Sequence, residues 1–158
     1  MKLTASLDAV RPMCSFFHRL KSRFVRADSD SDSDAGADGE RCAAAWLRRE
    51  RGFGIVARNW RSPKDRRDEI DLVCDDRGVL VFVEVKARAA DALVPGYYTI
   101  DLRKKRALRR AMGVYLRQLP LKPRTFRFDV VEVRLWPGGQ RSILHFENVP
   151  LFSKHFRP

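Results

Sequence analysis

Four charged residues stand in the most strand-like stretch of the sequence, residues 69–88, where Ile, Leu, Val and Phe predominate. They are Glu69, Asp71, Glu84 and Lys86. An unpaired charge that moves from water into apolar surroundings costs enough free energy that it usually becomes neutral or finds a partner. These residues therefore need a chemical explanation.

A hairpin would bring Asp71 and Glu84 together. The stretch reads as two strands joined by the turn "DDRG" at residues 75–78. Side chains alternate faces along a strand, so a hairpin symmetric about Asp76–Arg77 places both carboxylates on one face. That register pairs position 69 with 84 and 71 with 82, which makes Asp71 and Glu84 diagonal neighbours roughly 7–8 Å apart at the backbone. A three-residue loop would turn one strand over and separate them.

Two converging carboxylates repel each other unless a cation lies between them, and ligands that are all oxygen suit Mg²⁺ (or Mn²⁺). Lys86 follows Glu84 by two residues on the same face. An ammonium there can hold a hydroxide-like nucleophile or neutralise charge that develops on a phosphate. The set indicates metal-dependent phosphodiester cleavage. The alternative is that Glu84 and Lys86 form an ordinary surface ion pair, but "VLVFVEV" at 79–85 is typical of a strand covered on both faces.

Two helices are predicted around these strands. The first covers residues 38–51, with Asp38 as a candidate N-cap, Glu40 in the first turn and Gly52 as a stop signal. The second runs from Asp101 to Gln118, where apolar residues recur with the spacing of one buried face.

Strands fill the remaining positions. They are predicted at residues 53–60, in the two halves of the hairpin, at 125–136 and at about 142–149, and a charged loop covers 61–68. The order is αβββαβ with one more strand. It predicts an α/β fold with a mixed central sheet flanked by helices.

The chain is strongly basic, with a net charge of +12 and a pI near 10.3. Such a balance favours a polyanion or an anionic membrane surface as partner, and the alternative is solubility alone. We predict nucleic-acid contacts from the second helix and the loop before the hairpin; the residues are Arg103, Lys104, Arg106, Arg110, Arg66 and Arg67. The alternative for the helix is a solvated basic face. Trp60 and the pair Tyr97–Tyr98 are candidates for base stacking, although core packing is favoured for Trp60.

The N-terminal extension differs from the rest of the chain. Residues 28–38 read "DSDSDSDAGAD", a composition that cannot bury enough apolar area to offset the entropy of ordering. We predict an unstructured extension at 1–37, a domain at 38–152 and a short tail at 153–158. No apolar run approaches the roughly 20 residues of a membrane span, so we expect no integral membrane contact. Three scattered cysteines indicate a reducing, cytoplasmic location.

Several motifs resemble one known family. They are "GERCAAAWLRRERGFGIVARNWR", "DEIDLVCDD", "VFVEVKAR", "KKRALRRAMGVYL" and "FRFDVVEV". Together they are similar to the bacterial YraN family of the restriction-endonuclease-like superfamily, whose site is written PD-(D/E)xK. The resemblance covers roughly residues 39–152.

The resemblance implies a restriction-endonuclease-like core and a set of site residues. Asp71 matches the first-strand metal ligand, Glu84 the second-strand carboxylate, Lys86 the following lysine, and Glu40 the acidic residue of the opening helix. Glu69 is the least certain member and has the alternative of pairing with Arg66, Arg67 or Lys86. The sequence departs from the family at Asp68, where glycine is usual, and at Asp101-Leu102, where Thr-Pro is common.

These observations lead to two functional hypotheses. The first is a metal-dependent nuclease acting on DNA rather than RNA, with branched or damaged forms as candidate substrates. The second is a nucleic-acid-binding protein of the same fold that does not cut. The complete acid-acid-lysine set favours the first. The oligomeric state does not follow from the sequence.

Overall fold

The computed structural model describes residues 33–91 and 100–151, which form two helices and one five-stranded sheet. The elements in chain order are α1 (Ser33–Glu50), β1 (Gly54–Arg61), β2 (Glu69–Asp76), β3 (Val79–Ala89), α2 (Leu102–Gln118), β4 (Phe126–Leu135) and β5 (Arg141–Phe146). The predicted order of helices and strands is confirmed.

The sheet is mixed and has the spatial order β1-β2-β3-β4-β5. Strands β1, β2 and β3 form an antiparallel meander, β3 and β4 run parallel, and β5 returns antiparallel to β4. The parallel pair needs a crossover, which contains α2. The architecture is the predicted restriction-endonuclease-like α/β core.

The two helices cover opposite faces of the sheet. Ala43, Ala44 and Leu47 of α1 are fully buried in a cluster that includes Leu72 and Val83. On the other face, α2 buries Leu108, Ala111, Met112, Tyr115 and Leu116 together with Trp60, Phe82 and Val130. The strand β3 is therefore covered on both sides, as its apolar run predicted.

The first helix begins earlier than predicted. It starts at Ser33, so Asp38 lies inside the helix and does not cap it, and Glu40 is not in the first turn. Residues 33–37, which we expected in the unstructured extension, are helical. Gly52 has a φ of 70° directly after the helix, in agreement with its predicted role as a stop. Glu40 was expected in the first turn, where the helix dipole would stabilise its negative charge. Because the helix begins at Ser33, that expectation is wrong.

The second helix is tied down at its start and near its middle. Asp101 caps it, since its side chain accepts a hydrogen bond from the Lys104 N–H at 2.6 Å. Arg110 donates two hydrogen bonds to the buried Asp68 carboxylate, at 3.0 and 2.6 Å. The pair joins α2 to the loop before β2. This ion pair gives Asp68 a structural role, and the helix cap gives one to Asp101. These are the positions at which the sequence departs from the family.

The hairpin register differs from the prediction by two residues. The turn consists of Arg77–Gly78, and Leu72 pairs with Val83. Phe82 pairs with Val73, so the predicted pairing of position 71 with 82 is wrong. Leu72–Val83 is the last regular pair of the hairpin, and Asp71 and Glu84 lie just beyond it.

Strands β4 and β5 are joined by a second buried ionic cluster, centred on Asp129. The Asp129 carboxylate is fully buried and accepts hydrogen bonds from the Arg127 side chain at 3.0 Å, from His145 at 2.9 Å and from the Asn148 N–H at 2.8 Å. Burial alone would raise the pKa of Asp129, but these donors outweigh it and hold the pKa below its usual 3.8.

Residues 1–32, 92–99 and 152–158 lie outside the described part of the chain, and so do Tyr97 and Tyr98. Among the described residues, neither helix is long and apolar enough to cross a membrane.

We predict that Asp129→Asn lowers the free energy of unfolding by about 1–3 kcal/mol, because charged hydrogen bonds are replaced by weaker ones. The effect should be largest near neutral pH. A carboxylate whose pKa is lowered in the folded state stabilises it above pH 3.8, and that contribution is lost as pH falls further. Urea unfolding at several pH values measures both effects. Asp65→Asn, in an exposed ion pair with Arg67, is the control and should change little.

Candidate active site

Asp71 lies where the regular pattern of β1 and β2 breaks. Ile70 packs in the same cluster as Val73, whereas Leu72 packs on the opposite face, so the alternation of side chains is interrupted around Asp71. On β1, Asn59 occupies the corresponding position, between the pairs formed by Arg58 and Trp60, and has a φ of 47°. Left-handed backbone at a non-glycine residue is uncommon and often marks a functional site.

The Asp71 side chain, rather than the backbone of β2, accepts a hydrogen bond from a backbone N–H of β3. Its Oδ2 accepts the Val85 N–H at 2.7 Å, just beyond the last regular pair, Leu72 with Val83. This bond holds the carboxylate between the strands and directs it toward β3. The residue is only 9% exposed.

Glu84 is the centre of the site and is 1% exposed. Its Oε1 accepts hydrogen bonds from two ammonium groups, those of Lys86 at 2.8 Å and Lys104 at 3.1 Å. Its Oε2 is buried and has no hydrogen-bond partner among the described residues. A buried carboxylate oxygen without a partner is costly. A ligand that approaches Oε2 would remove that cost.

The pKa of Asp71 is raised to about 8, chiefly by burial and next by the nearby Glu84 carboxylate. Lys104 and the Val85 N–H act in the opposite direction but are outweighed. A divalent cation between Asp71 and Glu84 would favour the ionised form of Asp71, and oxygen donors of this kind suit Mg²⁺ or Mn²⁺.

Glu40 approaches the pair from α1. Burial raises its pKa; a hydrogen bond from Asn59 lowers it, and the carboxylates of Glu69 and Glu84 raise it further. Glu40 is thus in the electrostatic environment of the site. Among residues 33–91 and 100–151, however, no three His, Cys, Asp or Glu side chains form a metal-binding cluster. The assignment of Glu40 as a third ligand stays a prediction.

The predicted nucleic-acid contacts divide into three groups. Arg110 and Arg67 are engaged with Asp68 and Asp65, respectively. Three others, Arg103, Arg106 and Arg66, are exposed. Lys104 is the exception, because it points into the site and contacts Glu84. Nucleic-acid binding by this set stays a prediction.

Other predicted residues have structural roles. Glu69 pairs with Arg61 at 3.3 Å, rather than with Arg66, Arg67 or Lys86. Trp60 is 3% exposed and packs edge-on against Tyr115, so the core interpretation is confirmed.

Sequence reasoning missed two residues. Glu132 on β4 is fully buried, lies beside Lys86 in the parallel register and accepts a hydrogen bond from Arg134 at 2.7 Å. Its signal was "EVR" within a covered strand, which repeats the pattern of "EVK". Trp136 is 48% exposed next to the turn between β4 and β5. It is a better stacking candidate than the buried Trp60.

The comparisons with known proteins agree with this arrangement. The profile of the uncharacterised protein family UPF0102 matches residues 39–133, a span that includes Glu40, Asp71, Glu84 and Lys86. The chain belongs to the UPF0102 family. The resemblance to YraN proteins is thereby confirmed.

Curated UPF0102 proteins align with most of this chain. The Symbiobacterium thermophilum protein is 43% identical over 105 residues, which cover 66% of this chain and 86% of that protein. The Anaeromyxobacter dehalogenans protein is 42% identical over 120 residues, 75% of this chain and 85% of that protein. The Mycolicibacterium vanbaalenii protein is 35% identical over 121 residues, which cover 77% of this chain and 97% of that protein.

We predict that Asp71→Asn stabilises the metal-free protein increasingly as pH rises from 4 to 8. A carboxyl group whose pKa is raised to about 8 binds its proton more tightly when folded, so the wild-type protein loses stability across this range. The uncharged amide avoids that loss.

Melting temperatures of both proteins in chelator measure the difference. Added Mn²⁺ should raise the melting temperature of the wild type at pH 8 and have a smaller effect on Asp71→Asn. A difference between the two proteins that does not change with pH would contradict the prediction.

Proposed function

We propose that this UPF0102 protein is a metal-dependent nuclease that hydrolyses phosphodiester bonds. The observation that carries the proposal is the proximity of two buried carboxylates, Asp71 and Glu84, with Oε2 of Glu84 left without a hydrogen-bond partner among the described residues and Lys86 bound to Oε1. A structural ion pair between Glu84 and Lys86 alone would not explain why Asp71 is buried against the same carboxylate.

Asp71 and Glu84 are the residues that would hold Mg²⁺ or Mn²⁺, with Glu40 assisting from α1. Oε2 of Glu84 is buried and has no hydrogen-bond partner among the described residues, so it is the oxygen best placed to bind the ion. When bound, the ion supplies a more acidic water and neutralises charge that develops on the phosphate. Both effects favour attack of water on phosphorus.

Lys86 is assigned to the attacking water. Its ammonium is anchored to Glu84 at 2.8 Å and is 28% exposed, so it can reach a water molecule or a phosphate at the surface of the site. Positive charge there stabilises a hydroxide-like nucleophile before and during the attack. The residue is placed by β3, whose parallel pairing with β4 continues through Lys86 to Ala89.

The proposed substrate is DNA. The sequence is basic enough for a polyanion, and the exposed cations Arg103 and Arg106 begin α2 next to the site. Phosphate contacts position a protein without reading sequence. The chain has no recognised base-reading motif, so recognition of DNA structure, such as branched or damaged forms, fits better than recognition of sequence.

The alternative is a nucleic-acid-binding protein that does not cut. Burying two neighbouring carboxylates costs free energy, and a protein that only binds nucleic acid has no use for them. This cost counts against the alternative.

We predict that Lys86→Ala reduces cleavage by at least about 100-fold while the protein stays folded and keeps its metal affinity, because only the group beside the nucleophile is removed. Asp71→Asn and Glu84→Gln should lower cleavage and metal affinity together. Cleavage of linear, flapped and four-way DNA in Mg²⁺, Mn²⁺ or chelator tests the assignment, with Mn²⁺ affinity and melting temperature measured on the same samples.

The matched control is Lys122→Ala, which removes a lysine that binds the Leu116 carbonyl away from the site. It should leave cleavage per folded protein unchanged. Undiminished cleavage by folded Lys86→Ala would overturn the active-site assignment. DNA binding without cleavage under every condition would favour the non-catalytic alternative.

Exposed arginines at the start of α2 should carry part of the salt dependence of DNA binding. Each lost phosphate contact reduces the slope of log affinity against log salt by about 0.9. Replacement of Arg103 and Arg106 with Ala should therefore flatten the slope by about 2. The control is Arg48→Ala with Arg49→Ala, which removes the same charge from the exposed last turn of α1. Equal slopes for the two double variants would place the DNA elsewhere.

A further inference from the structure

Two lysines converge on one carboxylate oxygen in the site. Lys86 comes from β3 and Lys104 from the first turn of α2, and both ammonium groups contact Oε1 of Glu84, at 2.8 and 3.1 Å. One ammonium is sufficient to pair with one carboxylate. The two ammonium groups therefore lie side by side at one carboxylate oxygen, an arrangement that presents two cations to a ligand that enters the site.

Lys104 is held there in spite of its surroundings. Its ammonium lies 3.1 Å from Oε1 of Glu84, and this ion pair fixes its position although the side chain is partly buried. Its side chain is 29% exposed, similar to the 28% of Lys86. Both ammonium groups are therefore accessible to a ligand that enters from solvent.

The start of α2 is also unfavourable without an anion. Residues 103–106 are Arg-Lys-Lys-Arg, and the first turn contains no acidic residue. The N-terminus of a helix carries partial positive charge, so cations in the first turn destabilise it. The Asp101 cap offsets only part of this cost. A phosphate at this position would be attracted by the helix end and by Lys104 together.

We infer that Lys104 binds the scissile phosphate, next to Lys86, as a second active-site lysine. The inference rests on the proposed nuclease function and extends it to a substrate contact. In this arrangement Oε2 of Glu84 remains available for the metal ion, and Oε1 orients both ammonium groups. Lys86 serves the water, and Lys104 contacts a non-bridging phosphate oxygen whose negative charge grows during the attack.

The test compares Lys104→Gln with Lys105→Gln. Both variants remove one positive charge from the first turn of α2. Of these two lysines, Lys104 is the one that forms an ion pair with Glu84 in the described structure. Cleavage is measured at saturating DNA in Mg²⁺ and in Mn²⁺, together with Mn²⁺ affinity without DNA and melting temperature. Lys104→Arg is included because it restores the charge.

We expect Lys104→Gln to lower the maximal cleavage rate by about 100-fold or more, the cost of losing one group that stabilises transition-state charge. Mn²⁺ affinity should stay within about threefold of the wild type, since the metal ligands remain. Lys105→Gln should cleave at nearly the wild-type rate, and Lys104→Arg should recover part of the loss.

Three results would overturn the inference alone. The first is equal cleavage by Lys104→Gln and Lys105→Gln. The second is a loss of cleavage in Lys104→Gln that is fully explained by a loss of folded protein. The third is a large loss of Mn²⁺ affinity in Lys104→Gln, which would mean that Lys104 only positions Glu84. A wild-type protein that binds DNA but cleaves nothing with either metal would overturn the proposed function, and this inference with it.

Discussion

The burial of Glu84 in a strand covered on both faces is the constraint on which the rest of the structure depends. A carboxylate that is 1% exposed must have positive charge or hydrogen-bond donors close to it. Here two lysines satisfy one oxygen, and the other oxygen remains open beside Asp71. The fold has therefore left one buried carboxylate oxygen without a hydrogen-bond partner among the described residues. The proposed metal ion would supply that partner.

The surrounding elements are arranged to hold that site in place. The helix α2 is fixed by the Asp101 cap and by the pair of Arg110 with Asp68, and this attachment delivers Lys104 to Glu84. On β1, the left-handed Asn59 contacts Glu40 of α1. The two helices reach the same end of the sheet from opposite faces. Residues far apart in the chain thus share one electrostatic environment.

A second ionic cluster serves a different purpose. Asp129 is as buried as Glu84, yet it accepts hydrogen bonds from Arg127, His145 and Asn148 and has a lowered pKa. Asp71 lacks such compensation and has a raised pKa. The contrast distinguishes a well-compensated group of charges from a less compensated one, which agrees with the proposal that the second group binds a ligand.

Much of this protein was determined by local sequence pattern. Alternation and apolar periodicity predicted the order of helices and strands and the covered strand β3, because each depends on residues near in sequence. The acid-acid-lysine spacing singled out Asp71, Glu84 and Lys86, and their role in a metal site stays a prediction.

Tertiary structure decided what depends on distant partners. The hairpin register differed by two residues because the position of a turn is set by backbone geometry and packing as well as by its composition. The early start of α1 followed a low-complexity composition that gave no helical signal. Whether an arginine of α2 is exposed or engaged depends on the loop that packs against it, as Asp68 shows for Arg110. Lys104 looked like one cation of a basic helix, and only the packing of α2 on the sheet brought it to Glu84.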